Sequence, residues 1–160
     1  MGASLRLIHI LTLGLWLGSV VFFSLIVAPS LFGTLGRETA GRAVSAIFPR
    51  YYAFGGACGV VALLSGLLLG ARQAAWGRLL LIEMALVAAM IGIVAYSGRV
   101  LLPQASQARA ALGGTQETPA QDEARARFDA LHRRSVFLNG TVLLLGLAAF
   151  ALAAVERPLR

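Results

Sequence analysis

His9 and Glu83 are the residues of this chain whose surroundings make them chemically unusual. No formal charge lies between Arg6 and Arg37, and Glu83 is the single charge between Arg78 and Arg99. An imidazole or a carboxylate in such a run costs free energy unless it is hydrogen-bonded or paired. His9, Trp16 and Phe23 recur every seven residues and so share one helical stripe. Glu83 stands five residues past Arg78, about 7.5 Å along a helix axis. If His9 and Glu83 meet, they satisfy each other, with Arg6 and Arg78 at the nearby membrane surface, and the pair lines a cleft for a proton or a ligand. The plainer alternative is that Glu83 snorkels towards Arg78 while His9 bonds a carbonyl or water at the head-group boundary. Trp16 is then either a ligand wall or a packing residue.

The elements that position these groups are membrane helices. A span needs roughly 20 apolar residues, and the arginine-bounded runs predict four: about 7–28, 51–71, 79–97 and 135–155. The first run exceeds a signal-peptide core and lacks a small-x-small cleavage site, so an uncleaved span is expected. Pro29 should end or kink the first helix. Ala40, Val44, Ile47 and Phe48 fall on one face and predict an amphipathic helix over 37–48, bounded by Gly36 and Pro49. The Gln/Ala/Gly/Thr-rich stretch after Pro103 reads as a loop or a loosely ordered helix end. Thr118 and Pro119 signal a new start, giving a helical extension over 119–134 that runs into the last span. The expected fold is an all-α four-helix transmembrane bundle, a single membrane domain over residues 1–160.

The two halves match in spacing. His9 to Pro29 and Glu83 to Pro103 are both 20 residues, Phe48 and Tyr52 match Phe128 and His132, and Gly66 matches Gly146. Two spans restore the chain direction, so this is a two-fold parallel repeat of helix pairs.

Four spans place a second group of polar residues at the opposite end of the bundle: Tyr52, Arg99, His132 and Asn139, beside Arg133 and Arg134. His132 and Asn139 share a face, so Asn139 should point inward and bond across the bundle. His9 and His132 enter from opposite ends and cannot share a metal ion.

The chain is 58% hydrophobic and 13% charged, too apolar for a soluble domain of 160 residues. All 14 of its basic residues are arginines, and the net charge is +7. They flank the apolar runs, which points to anionic lipid head groups of the bilayer and away from nucleic acid. Nine arginines fall on the side opposite the termini and five on theirs, so both termini are expected outside, in an inner membrane. Cys58 is the only cysteine, and it excludes an internal disulfide. No metalloprotease motif, phosphate-binding glycine loop or nucleophile–base pair is present, so catalysis is not indicated. The pair Gly14 and Gly18, with Gly55, Gly59, Gly66 and Gly70, offers close helix contacts and a route to a homo-oligomer.

His9, Trp16 and Gly18, then Phe22-Phe23 and Ala28-Pro29 with Phe32, together with Phe128, Leu131, His132, Ser135 and Asn139, resemble the transmembrane protein 205-like family of four-span proteins. That resemblance implies four helices and a link, through a human relative, to platinum-drug resistance and export. A more distant likeness is to CopD and HemJ-type membrane proteins. The His9–Trp16 spacing is similar to that associated with haem in the HemJ oxidases, and it implies haem b with His9 as axial ligand. The chain departs from those oxidases in the placing of Gly18 and in having no lysine. The readings are therefore a protein that binds or transports a small molecule or metal complex through a cleft between helices, a haem- or quinone-linked redox protein, and a structural subunit.

Overall fold

The structure is a computed structural model that describes residues 2–72, 77–112 and 119–155. Every element among these residues is helical. In chain order they are α1 (Gly2–Phe22), a π-turn (Phe23–Val27), α2 (Ala28–Thr34), α3 (Arg37–Arg72), α4 (Arg78–Tyr96), a second π-turn (Ser97–Leu101), α5 (Leu102–Ala110) and α6 (Pro119–Val155). Four continuous helical stretches, Gly2–Thr34, Arg37–Arg72, Arg78–Ala110 and Pro119–Val155, are long and apolar enough to cross a membrane. Their outer faces expose Leu11, Leu15, Leu25, Leu68, Phe137 and Leu144. Such faces belong in lipid, and the protein is an all-α four-helix membrane bundle.

Around the bundle each of α1 and α4 packs beside α3 and α6, so α1 and α4 stand diagonally and make no close backbone contact. Buried residues form one stripe on each. His9, Leu13, Trp16, Val20 and Phe23 face inward from the first span, as do Glu83, Val87, Met90, Val94 and Ser97 from the third. Each residue of the first set is 74 positions from its counterpart, the same separation as Pro29 from Pro103. On α3 and α6 the counterparts are 80 apart, and Ala62 with Val142, Gly66 with Gly146, and Leu69 with Ala149 are all buried.

Of the end or kink expected at Pro29, and the boundary expected at Pro49, no helix end occurs. Pro29 ends no helix: the π-turn before it carries the helix on to Thr34, with Ala28 N–H bonded to Phe23 O. The second π-turn does the same before Pro103, where Leu102 N–H reaches Ser97 O. The widened turn opens the ladder where the ring would otherwise meet the carbonyl four residues back. Pro49 is also no boundary, because it lies inside the single helix α3. Ala40, Val44, Gly55, Cys58, Ala62 and Leu69 form one buried stripe on both sides of it, and packing along that stripe outweighs a local cost of about 3 kcal/mol. Of the loop or helix end expected after Pro103, the structure has the helix, which runs to Ala110 with Ala108 buried. The extension over 119–134 and the last span form the single helix α6. Thr118, the expected cap, lies outside the described residues.

Candidate functional site

His9 and Glu83 meet across the diagonal of the bundle. His9 Nε2 lies 2.5 Å from Glu83 Oε1, and the residues are 3% and 2% exposed. On the other side of the ring, Nδ1 is 2.9 Å from Ala62 O and 3.0 Å from Ser65 Oγ. A carbonyl only accepts, so Nδ1 carries a hydrogen. The Ser65 hydroxyl donates to Val61 O at 2.7 Å and is free to accept from Nδ1. One proton therefore lies between Nε2 and Oε1, and the pair is neutral overall whether it sits on nitrogen or on oxygen. That neutrality is what lets two ionisable groups stay buried in an apolar bundle.

The surroundings of the pair, between spans one and three, are closely packed. Met84 and Leu80 on α4 and Leu13 on α1 are buried around the pair, and a Cβ built on Gly66 would stand 2.4 Å from Met84 Cε and 3.1 Å from His9 Cε1. Arg78 is exposed and Arg6 half-buried. Trp16 is 1% exposed. Its indole fills a groove made by two glycines of α3, where a Cβ on Gly55 or Gly59 would come within 2.7 Å of it. That is the work of a packing residue.

The open space lies at the other end, between the two halves of the repeat. A cavity of about 550 Å³ is bounded by α3, α5 and α6. A second, of about 360 Å³, lies beside it against the π-turn of the first span, α2 and α6. Phe32, Val44, Phe48, Tyr52, His132 and Ser135 line both. Phe48 stacks on Tyr52 with centroids 5.5 Å apart, and Phe128 stacks on His132 at 6.2 Å in the equivalent place of the second half.

Hydrogen bonds brace this end. Tyr51 Oη donates to Asn139 Oδ1 at 2.7 Å, and Asn139 Nδ2 donates to Ser24 Oγ at 2.9 Å, so Asn139 ties α6 to α3 and to the π-turn of the first span. Tyr52 Oη lies 3.4 Å from Ser135 Oγ. Of the residues expected here from the sequence, Tyr52, His132 and Asn139 line a cavity, whereas Arg99 is exposed on the second π-turn and lines neither. Arg134 lies over the Tyr96 ring instead, 5.2 Å from its centroid.

The residue that sequence reasoning missed is Arg109. Its Nη1 donates to Ser45 Oγ at 3.0 Å, and Ser45 in turn donates to Gly41 O at 2.8 Å. The guanidinium lies over Phe128, 5.2 Å from the ring centroid. It occupies a notch above Gly41, where a Cβ would be 1.6 Å from Nη2. The only sequence trace of this contact was Gly41 itself, a small residue beside Ala40 on the buried face of an amphipathic segment.

Residues 11–113 match the family described as Domain of unknown function (DUF4149). The chain belongs to this family. The DUF4149 match takes in Trp16, Tyr52, Glu83 and Arg109, while His9, Phe128 and His132 fall outside it. No curated protein and no solved structure matches the chain. Among the described residues no three His, Cys, Asp or Glu side chains converge as a metal site.

Proposed function

We propose that this four-helix membrane protein binds a small molecule in the cleft between its two halves, as a carrier or receptor and not as an enzyme. The observation that carries this reading is the pair of adjoining cavities, about 550 and 360 Å³, walled by aromatic rings with a few polar groups converging on them. The candidate ligand residues are accordingly Tyr52, His132, Asn139 and Arg109, in place of His9 and Glu83. The His9–Glu83 pair holds the far end of the bundle closed. Positive-inside counting puts the cavities on the cytoplasmic side of an inner membrane, with both termini outside. The likeness to the transmembrane protein 205-like family, with its link to export, agrees with a binding role.

The haem reading asks more of His9 than its surroundings offer. Both ring nitrogens are engaged, Nδ1 by Ala62 O and Ser65 and Nε2 by Glu83. Axial ligation would have to expel Glu83 and leave its carboxyl buried without a partner. This favours binding at the opposite end.

Native mass spectrometry of the protein released from its own membrane tests the proposal. A low-mass adduct is expected, and Ala105→Trp, which fills the larger cavity from α5, should reduce it several-fold. An adduct indifferent to Ala105→Trp, or a Soret band in the purified protein that His9→Ala removes, would refute the reading.

A further inference from the structure

The two cavities differ in character, and the difference runs along the bundle axis. The larger is lined by Arg37, Arg109 and Asp129, and so carries two guanidinium groups against one carboxylate. The smaller has no Asp, Glu, Lys or Arg in its lining, which is built from Phe23, Ala28, Pro29 and Val136 besides the shared aromatic wall. From Gly41, in the charged cavity, to Tyr52, at the shared wall, is 11 residues of α3, about 16 Å along the axis. Arg109 lies 12 residues past Ser97, where the third apolar run ends, and so about 18 Å beyond it. Phe23 and Ala28 lie inside the first apolar run. By these spans Gly41 and Arg109, at one end of the larger cavity, fall beyond the apolar runs, whereas the smaller cavity reaches into the first run.

Building on the binding role proposed above, we infer that the site takes an anionic amphiphile, its phosphate or carboxylate head at Arg109 and its apolar tail in the smaller cavity. The Arg109 fork is held by Ser45, by the Phe128 ring and by the Gly41 notch. Among the described residues no carboxylate lies within ion-pair distance of it, and Glu38 and Arg42 act on it with opposite signs. A fixed, planar guanidinium with no direct ion pair among the described residues is a group suited to receive a phosphate or carboxylate. His132, at the junction of the two cavities, adds a ring that can donate to a head-group oxygen. A tail leaving that head group meets Phe48, Tyr52 and Phe32, and then the apolar lining at the first π-turn.

The test uses the full chain in phosphatidylcholine nanodiscs, with the ¹³Cε1 resonance of His132, one of two histidines, as a site-specific readout. Dodecyl phosphate should shift that resonance saturably. Dodecyltrimethylammonium, with the same tail and opposite charge, should bind at least tenfold more weakly, and inorganic phosphate should give no shift where dodecyl phosphate saturates. Arg109→Gln should weaken dodecyl phosphate tenfold or more. Gly41→Ala, which keeps the charge but evicts the guanidinium from its notch, should do the same, and Ala28→Phe should weaken it by crowding the tail. Competition by phosphatidic acid placed in the disc would assign the ligand to the bilayer. An undiminished response to aqueous dodecyl phosphate in that disc would assign it to a free acid. Equal affinity for the ammonium probe overturns the anionic head, and equal affinity for inorganic phosphate overturns the tail; in both cases a small molecule still occupies the cavities and the binding role stands. If no probe shifts His132 while a native adduct still depends on Ala105, the amphiphile is refuted and the binding role survives.

Discussion

Removing Glu83 should destabilise the bundle in a way that depends on His9. Glu83→Ala leaves His9 Nε2 facing nothing, and His9→Ala leaves a carboxyl of 2% exposure without its partner at 2.5 Å. In soluble interiors, breaking a buried pair by removing one member costs about 3–5 kcal/mol. Ordinary interhelical side-chain bonds in bilayers couple by only about 0.6 kcal/mol, and by about 1.7 at most, because helices apart in lipid find other partners. The His9–Glu83 contact belongs above that range, because it is short, shares one proton and sits where neither group reaches water. A coupling of about 2 kcal/mol is expected from the His9→Ala, Glu83→Ala and double-variant cycle, roughly 30-fold in the unfolding equilibrium.

Glu83→Gln separates hydrogen bonding from charge. Its amide N–H can donate to Nε2 while Ala62 O keeps the Nδ1 hydrogen, so it should cost under about 1 kcal/mol. The assay is unfolding by dodecyl sulfate in mixed micelles, followed by Trp16 fluorescence in a Trp76→Phe background. Additivity of the two alanine variants within about 0.5 kcal/mol would refute a shared proton at the centre of the bundle. Glu83→Gln as damaging as Glu83→Ala would refute the bonding pattern.

Gly59→Ala should lower stability by about 1–3 kcal/mol and red-shift the Trp16 emission, because its Cβ would stand 2.7 Å from the rigid indole and 2.6 Å from Ile91; an unchanged spectrum would show that the indole does not lie in that groove. Single cysteines at Ser4 and Gln107 in a Cys58→Ala background should react with an impermeant maleimide from opposite faces of the membrane, with Gln107 on the cytoplasmic side; labelling of both from one face would overturn the four-span topology.

The spans were legible because their signal is long: arginines bound each apolar run, and a helix of that length with at most one charge has few other places to go. The pairing of His9 with Glu83 was legible for a different reason, since parallel spans set the two at equal depth and burying either alone is costly. That proline ends no helix here was not legible, because its local rule assumes an unbroken α ladder. At Pro29 and Pro103 the ladder widens by one residue, and at Pro49 a buried stripe from Ala40 to Leu69 outweighs the local preference. Arg109 was invisible for want of any local mark. It lies in a polar stretch with no strong periodicity, and its partner Ser45 is 64 residues away. The second group named from the sequence, Tyr52, His132 and Asn139, does line the cavities, because four spans bring the mouths of the second and last helices together at that end.

The repeat explains why the two ends differ. The matched spacing of the two halves brings His9 of α1 and Glu83 of α4, residues in equivalent positions, to face each other. Where residues in equivalent positions meet, a carboxylate pair that shares one proton still carries a net charge, which is costly in an apolar bundle. His9 opposite Glu83 resolves this with one proton between them and no net charge. Farther along, Trp16 faces its counterpart's place with Met90, one large and one flexible side chain filling the centre together. At the cavity end Phe48 with Tyr52 and Phe128 with His132 keep the same stacked form on separate helices, with a phenol in one half against an imidazole in the other. A symmetric aromatic frame with one asymmetric polar edge, and Arg109 held above it by a single hydroxyl and a ring, is arranged to orient a ligand that has two unlike ends.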